Sequence, residues 1–131
     1  MKYLLDTHTL LWAIFEPEKL IESTRQVIID SKNEVFVSVI SFWEISLKFA
    51  IGKLELVNAL PEELPEIVEN MGFDILQITA NEVASSHNLP KLGHKDPFDR
   101  MIIWQAIQNK MKLISKDREF KQYKQFGLNI M

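Results

Sequence analysis

Residues 2–15, KYLLDTHTLLWAIF, decide how the rest of this chain is interpreted. KYLL is a short apolar run typical of a strand that is buried on both faces. From Thr7 to Phe15 the apolar residues follow the spacing of a helix. Asp6 stands at the junction between the two elements. In parallel α/β sheets the ligand site lies beyond the carboxyl ends of the strands, so the position of this carboxylate points to a function.

Short strands and longer helices continue to alternate along the chain. Further strands are predicted over residues 34–39, 73–78, 112–115 and 128–130. Helices are predicted over residues 18–31, 41–51, 61–71 and, as the longest helix, 96–110, with a shorter one beginning at Asp117. The capping-box spacing S/T-x-x-E occurs at Ser41 and Glu44 and again at Thr79 and Glu82. This order predicts one α/β domain over residues 1–131, with a mostly parallel sheet of four to five strands covered on both faces.

Composition excludes several classes of protein. The 131 residues include no cysteine, which excludes a disulfide scaffold, a cysteine-based zinc site and a thiol nucleophile. No apolar run approaches the roughly 18 residues of a membrane span, so we expect a soluble cytoplasmic protein without a membrane partner. The net charge of −3 conceals an acidic N-terminal part and a basic segment over residues 91–131. The basic segment fits a rim that binds a polyanion, but on this feature alone a solvated lysine-rich face is the favoured interpretation.

Acidic residues from distant parts of the chain are expected at the carboxyl edge of this sheet. They are Asp6, Glu44, Asp96, Asp99 and Asp117. Purely structural interpretations exist as well, since Asp6, Asp96 and Asp117 could be helix caps and Glu44 could be the N3 member of a capping box. Taken together, however, carboxylates about 6 Å apart repel each other by roughly 3 kcal/mol per pair at an effective dielectric constant near 20. A shared pocket would therefore take up protons or a hard cation such as Mg²⁺ or Mn²⁺, as one or two ions.

A carboxylate-bound cation indicates hydrolysis of phosphodiesters. Such a site orients and deprotonates water and offsets charge on a phosphoryl oxygen, and it needs no side-chain nucleophile. This agrees with the lack of any Ser-His or Cys-His signature. The chain also lacks a phosphate-binding P-loop and a GxGxxG motif.

Four motifs resemble the PIN-domain family, and among its members they are most similar to the VapC-type toxins of toxin–antitoxin pairs. They are LLDTHTLLW, SFWEISLKFAIGKL, HKDPFDRMIIWQA and LISKD, in that order. The resemblance covers essentially the whole chain. It implies a three-layer α/β/α fold, an endoribonuclease dependent on Mg²⁺ or Mn²⁺, and a homodimer that is neutralised by a small antitoxin. A tRNA substrate is a family-level expectation.

The resemblance also assigns roles to individual residues. The four acidic positions of the family fall on Asp6, Glu44, Asp99 and Asp117. Thr7 and Ser115 match hydroxyl positions beside the first and fourth acids. Asp96 belongs to the DPFDR form of the third motif, where we expect an N-cap with a supporting role at the metal. Lys116 departs from the usual pattern of the fourth motif.

Other polar and aromatic residues receive weaker interpretations. Lys48 and Arg100 lie on predicted helices near the proposed ligands, so we expect them to contact phosphate groups of the substrate. The histidines, for which solvated or structural roles are favoured over metal binding, are His8, His87 and His94. The tryptophans, for which core or dimer contacts are favoured over base stacking, are Trp12, Trp43 and Trp104. For PEELPEIVEN, a solvated amphipathic helix is favoured over a partner-binding surface.

Three alternative functions fit parts of the pattern. DTHT after the first strand is similar to the D-x-D-x-T motif of phosphatases that form an aspartyl phosphate, but His8 replaces the second aspartate. A receiver-like signalling domain would use Lys116 after a late strand, but the adjacent acidic pair beyond the first strand is missing. A purely structural partner subunit is the third alternative.

Overall fold

The computed structural model describes residues 1–93 and 95–131. Its strands are β1 (Lys2–Leu5), β2 (Glu34–Ser38), β3 (Asp74–Leu76), β4 (Lys112–Ile114) and β5 (Asn129–Ile130). Its α-helices are α1 (Thr7–Phe15), α2 (Glu22–Ile29), α3 (Val39–Ala50), α4 (Leu64–Asn70), α5 (Ala80–Ser85) and α6 (Pro97–Gln108). Short 3-10 helices cover Pro17–Lys19, Pro61–Glu63, Ser86–Asn88 and Arg118–Phe126.

The five strands form one sheet in the order β3-β2-β1-β4-β5, and every pair is parallel. Side chains alternate between its two faces, as the pleat of a strand requires. Tyr3 and Leu5 point to a core shared with α1, α3 and α4, whereas Leu4 points to a core shared with α6 and the 3-10 helix Arg118–Phe126. Both faces of the sheet are therefore covered, and the predicted three-layer α/β/α fold is confirmed.

None of the helices described here has the length and apolar character that crossing a membrane requires.

Two predicted helices are interrupted. The helix predicted over residues 18–31 is a 3-10 turn followed by α2, because Leu20 and Ile21 are both extended, with ψ of 136° and 155°. Leu20 packs against the core and Ile21 is exposed. The helix predicted over residues 61–71 also begins as a 3-10 turn. Pro65 has no N–H to donate to Pro61, so the first α-helical hydrogen bond cannot form there.

The start of α3 differs from the prediction. The helix begins at Val39, and its N-cap is Ser38, whose hydroxyl accepts a hydrogen bond from the Ile40 N–H at 3.0 Å. The predicted capping box of Ser41 and Glu44 is therefore wrong, and Glu44 lies in the middle of the helix. The C-terminal end of α3 agrees with the prediction. Gly52 follows the helix with a left-handed φ of 76°, a conformation that favours glycine.

The remaining boundaries differ by a few residues. The strand predicted over residues 73–78 shortens to β3, and the helix predicted over residues 96–110 ends at Gln108. The latter is twelve residues long, the same length as α3, so it is not the single longest helix. The segment after Asp117 is a 3-10 helix, and Asp117 is its N-cap.

A buried carboxylate holds α5 against the end of α6. Glu82 is 7% exposed and completes the predicted capping box with Thr79, with hydrogen bonds of 2.9 and 3.0 Å. Its other oxygen accepts a hydrogen bond of 2.7 Å from the side-chain amide of Asn109. Glu82 therefore satisfies a backbone donor at the start of one helix and a side-chain donor at the end of another.

We expect Glu82→Ala to lower the free energy of unfolding by about 2–3 kcal/mol, because it removes the cap and leaves buried donors unpaired. Urea denaturation followed by circular dichroism measures the change. Glu69→Ala on the exposed face of α4 is the matched control and should leave the midpoint nearly unchanged. Equal midpoints for the two variants would contradict this role of Glu82.

Candidate metal centre

A cleft of about 360 Å³ opens at the carboxyl edge of the sheet. Its charged and polar lining residues are Asp6, Thr7, His8, Glu44, Lys48, Lys53, Asp96, Asp99, Lys116 and Asp117. The structure therefore brings all five predicted carboxylates to one cleft, although they are distant along the chain. Their role as metal ligands stays a prediction.

The register of the sheet explains why these groups meet. Leu5 pairs in register with Val37 of β2 on one side and with Ile114 of β4 on the other. The Asp6 N–H extends the ladder by donating to the Ile114 carbonyl at 3.1 Å. Because the strands are parallel, β1, β2 and β4 all deliver the following residues to the same edge.

Asp6 is almost completely buried, with 5% of its surface exposed. It is the N-cap of α1, and its Oδ1 accepts a hydrogen bond from the Thr9 N–H at 2.8 Å. Burial raises the pKa of Asp6, while hydrogen bonds from Ser115 and Thr9 act in the opposite direction. A cation nearby would stabilise the ionised form of Asp6.

Glu44 enters the cleft from α3 and is 4% exposed. Its Oε2 forms an ion pair with Lys48, one turn further along the helix. Its Oε1 is buried and has no hydrogen-bond partner among the described residues. A buried carboxylate oxygen without a donor is costly, and a cation is the kind of partner that removes this cost.

Asp96 and Asp99 reach the cleft from the first turn of α6. Asp96 is the N-cap, as predicted, and its Oδ1 accepts hydrogen bonds from the Phe98 and Asp99 N–H groups at 2.9 and 3.2 Å. One carboxylate oxygen from each of Glu44, Asp96 and Asp99 lies within 4.8 Å of the others. These three side chains form the group that could hold a hard cation.

Asp117 and Asp6 line the same cleft outside that closest group. The Asp117 Oδ1 accepts a hydrogen bond from the Glu119 N–H at 2.9 Å, and the Asp117 N–H donates to the Ser115 hydroxyl at 3.0 Å. Ser115 thus contacts both of these acids. Thr7, the other predicted hydroxyl, donates to the Ser41 hydroxyl at 3.0 Å.

The acids of the cleft outnumber its cations. Lys48, Lys53 and Lys116 are the ammonium groups in the described lining, against five carboxylates. When all are ionised, two negative charges remain uncompensated, which suits one divalent cation. Partial burial of Lys48 acts to lower its pKa. The hydrogen bond and charge of Glu44, together with the charges of Asp96 and Asp99, outweigh this effect and raise the pKa of Lys48.

Arg100, predicted to contact substrate, does not line this cleft. Its guanidinium donates to the carbonyls of Leu89 and Pro90 at 2.7 and 3.1 Å, so it ties α6 to the preceding loop. Lys53 and Lys116 were not among the predicted substrate contacts. The signal that points to Lys53 is its position directly after Gly52, which ends the helix that carries Glu44.

The histidines differ in their position. His8 lines the cleft on the exposed side of α1, and its ring meets that of Trp12 edge-on at 4.6 Å. Burial, followed by the charge of Lys116, lowers the pKa of His8. His87 is exposed and does not line this cleft. His94 lies outside the described residues.

The three tryptophans also differ. Trp12 lies under the Lys116 ammonium at 4.4 Å, on the border of the cleft. Trp43 is 59% exposed, and its ring meets that of Phe98 edge-on at 5.0 Å. Trp104 is half-buried and donates to the Ser85 hydroxyl at 3.1 Å.

Comparisons with known proteins show the family of this chain. The family model described as the PIN domain matches residues 3–125. Ribonuclease VapC22 of Mycobacterium tuberculosis is 30% identical over 121 residues, which cover 92% of this chain and 91% of that protein.

Solved structures share the fold. A chain of the VapBC2 structure from Rickettsia felis, bound to a promoter DNA fragment, has a TM-score of 0.73 at 18% identity and covers 100% of this chain and 98% of its own. A chain of the DNA-bound VapBC structure from Salmonella typhimurium has a TM-score of 0.69 at 19% identity, with coverage of 100% and 97%.

The two roles of Asp96 can be separated by mutation. Serine keeps an N-cap oxygen and removes the carboxylate, whereas alanine removes both. We expect Asp96→Ser to retain the stability of the fold and Asp96→Ala to lower it by about 1 kcal/mol. Both should weaken Mn²⁺ binding by about tenfold, measured by electron paramagnetic resonance.

The matched control is Asp30→Ser, because Asp30 also accepts a local backbone hydrogen bond but lies on the exposed surface. It should bind Mn²⁺ as the unmodified protein does. Unchanged Mn²⁺ affinity in Asp96→Ser would show that Asp96 is a cap alone.

Proposed function

The chain belongs to the PIN-domain family, and from that premise we propose that it is a metal-dependent endoribonuclease and the toxin of a toxin–antitoxin pair. The resemblance that its motifs indicated is thereby confirmed. The observation that carries the proposal is the meeting of five carboxylates in one cleft, where the buried Glu44 Oε1 has no hydrogen-bond partner in the part of the chain that the structure describes. The likeness to Ribonuclease VapC22 supports the same activity.

The metal would be Mg²⁺ or Mn²⁺, as one or two ions. Glu44, Asp96 and Asp99 would bind it most closely, and Asp6 and Asp117 would complete the acidic lining. Carboxylate oxygens are the ligands that these ions prefer. When bound, the cation supplies an acidified water and offsets charge on the phosphoryl oxygen. Ser115 would hold Asp6 and Asp117 in place through its hydroxyl group.

The substrate would be RNA, with a tRNA as the family-level expectation. Lys53 and Lys116 place ammonium groups on the lining of the cleft, where they would attract the phosphates of a polyanion. Lys48 is the lysine that the sequence predicted for this role. The Arg100 guanidinium is bound to backbone carbonyls, so we assign it to positioning α6. Action on RNA would place the protein in the cytoplasm.

We expect Asp6→Asn and Asp99→Asn each to reduce RNA cleavage at least about a hundredfold, equivalent to about 2.7 kcal/mol of activation free energy. Asparagine has nearly the same shape and still caps helices, so both variants should fold. Cleavage is measured on total RNA with Mg²⁺ or with a chelator. Mg²⁺ should also raise the melting temperature of the unmodified protein more than that of a variant that carries both asparagine substitutions.

The control is Asp74→Asn, since Asp74 is exposed at the start of β3, at the opposite edge of the sheet from the cleft. It should cleave normally. Full cleavage by Asp6→Asn or Asp99→Asn, or cleavage that persists in chelator, would refute the proposed metal centre.

We propose a small antitoxin and a second copy of this chain as protein partners. The solved relatives named above are structures of VapBC, which supports an antitoxin partner. For the second copy, Trp43, Leu47 and Ile51 form an apolar stripe along α3, with exposed fractions of 59%, 42% and 58%. Contiguous exposed apolar surface of this kind marks protein interfaces.

We expect the purified protein to be a dimer and Leu47→Asp to convert it to a monomer, because a buried carboxylate without a partner opposes association. Light scattering coupled to size-exclusion chromatography measures the mass. Ile29→Asp is the control, since Ile29 is 71% exposed on α2 and lies outside the stripe. A dimer in both variants would place the interface elsewhere.

The alternative functions fare less well. A phosphatase with an aspartyl-phosphate intermediate needs an acid where this chain has His8, and His8 is exposed with a lowered pKa. A receiver-like domain would accept phosphate without cutting RNA. A purely structural subunit would gain nothing from a buried Glu44 oxygen that lacks a hydrogen-bond partner among residues 1–93 and 95–131. The incubation with total RNA distinguishes all of these from a nuclease.

A further inference from the structure

One cation of the cleft is tied to the carboxylate that lies deepest in the ligand group. The Lys48 ammonium pairs with the Glu44 Oε2, while the Glu44 Oε1 is buried and has no hydrogen-bond partner among the described residues. The Glu44 side chain is 5% exposed and the Lys48 side chain 38%. The carboxylate is therefore fixed and shielded, whereas the ammonium sits on a flexible stem that reaches solvent.

We propose that Lys48 is an internal counter-ion that competes with the divalent cation for Glu44 and so sets the affinity of the metal centre. This inference rests on the metal centre of the proposed function. It adds Lys48 to the residues that control the metal centre. Lys48 is not a ligand and acts through Glu44, so it is a positioning residue.

The Lys48 ammonium lies in the field of three carboxylates. Glu44, Asp96 and Asp99 present carboxylate oxygens within 4.8 Å of one another, and they repel each other. The ammonium of Lys48 reduces that repulsion and so stabilises the folded chain. A divalent cation performs the same task, and two cations that share one carboxylate repel each other. In a half-buried cleft this repulsion is only partly screened by salt.

Lys48 should consequently affect two quantities in opposite directions. In the presence of a chelator its ion pair stabilises the fold, and during a metal titration the same ion pair weakens binding. A residue with only a structural role would not produce this pattern, because loss of packing around Glu44 would lower both the stability and the metal affinity.

Lys53 provides a matched comparison within the same cleft. It carries the same charge and lines the same cavity, but it is exposed and forms no ion pair with any residue in the described part of the chain. If overall charge alone controlled metal binding, removing either lysine would have the same effect.

The test compares Lys48→Met with Lys53→Met in the full-length protein, with Mn²⁺ as the probe. We expect Lys48→Met to bind Mn²⁺ about tenfold more tightly in an electron paramagnetic resonance titration and to melt at a lower temperature in chelator. Lys53→Met should change the Mn²⁺ affinity by less than about twofold. Lys48→Arg should restore both values, because it keeps the positive charge.

Unchanged or weaker Mn²⁺ binding by Lys48→Met would overturn the inference, as would equal tightening in Lys53→Met. Should the methionine variant not fold, Lys48→Gln removes the charge and keeps a hydrogen-bond donor for Glu44, with the same expected shift. The readout does not depend on RNA cleavage. If the protein binds Mn²⁺ but cuts no RNA, only the proposed nuclease function is refuted. If it cuts RNA but Lys48→Met leaves the Mn²⁺ affinity unchanged, only the competition between Lys48 and the metal is refuted.

Discussion

Parallel pairing of β1 with two neighbours is the constraint on which the rest of the structure depends. β1 lies between β2 and β4, and its last residue, Leu5, is in register with Val37 and Ile114. In a parallel sheet the chain leaves every strand at the same edge, so three segments that are distant in sequence must turn within one small region. The acids that follow these strands are brought together mainly by the backbone hydrogen bonds of the sheet, to which Asp6 adds one from its own N–H to the Ile114 carbonyl. Repulsion among them is the cost of that arrangement.

The same side chains cap helices and line the proposed metal centre. Asp6, Asp96 and Asp117 each accept a backbone N–H at the start of a helical segment and each line the cleft. The cap fixes the rotamer of the carboxylate, which leaves its second oxygen in a defined direction. Glu44 has no such backbone partner within the described chain and is instead paired with Lys48. Of the five carboxylates in the cleft, three are therefore held by the main chain and one, Glu44, by the side chain of Lys48.

The sequence predicted those features that local rules determine. Asp6 and Asp96 were placed correctly because a strand end and an Asp-Pro pair are strong local signals. The start of α3 was misplaced because Ser38 and Ser41 are both suitable caps, and only the end of β2 selects between them. The contacts of Arg100 could not be predicted, since its partners are backbone carbonyls ten and eleven residues away. The ion pair of Lys48 with Glu44 was visible in principle from the i, i+4 spacing.

The double use of the capping aspartates has a consequence for how this protein would lose its activity. Asparagine is as good a cap as aspartate but brings no charge to the cleft. A chain with asparagine in place of Asp6 would keep its helices, its apolar stripe and every surface by which other proteins recognise it. For the toxin and antitoxin proposed above, such an inert copy would occupy the antitoxin and leave active copies unbound. Inactivation by this route is therefore different from deletion of the gene.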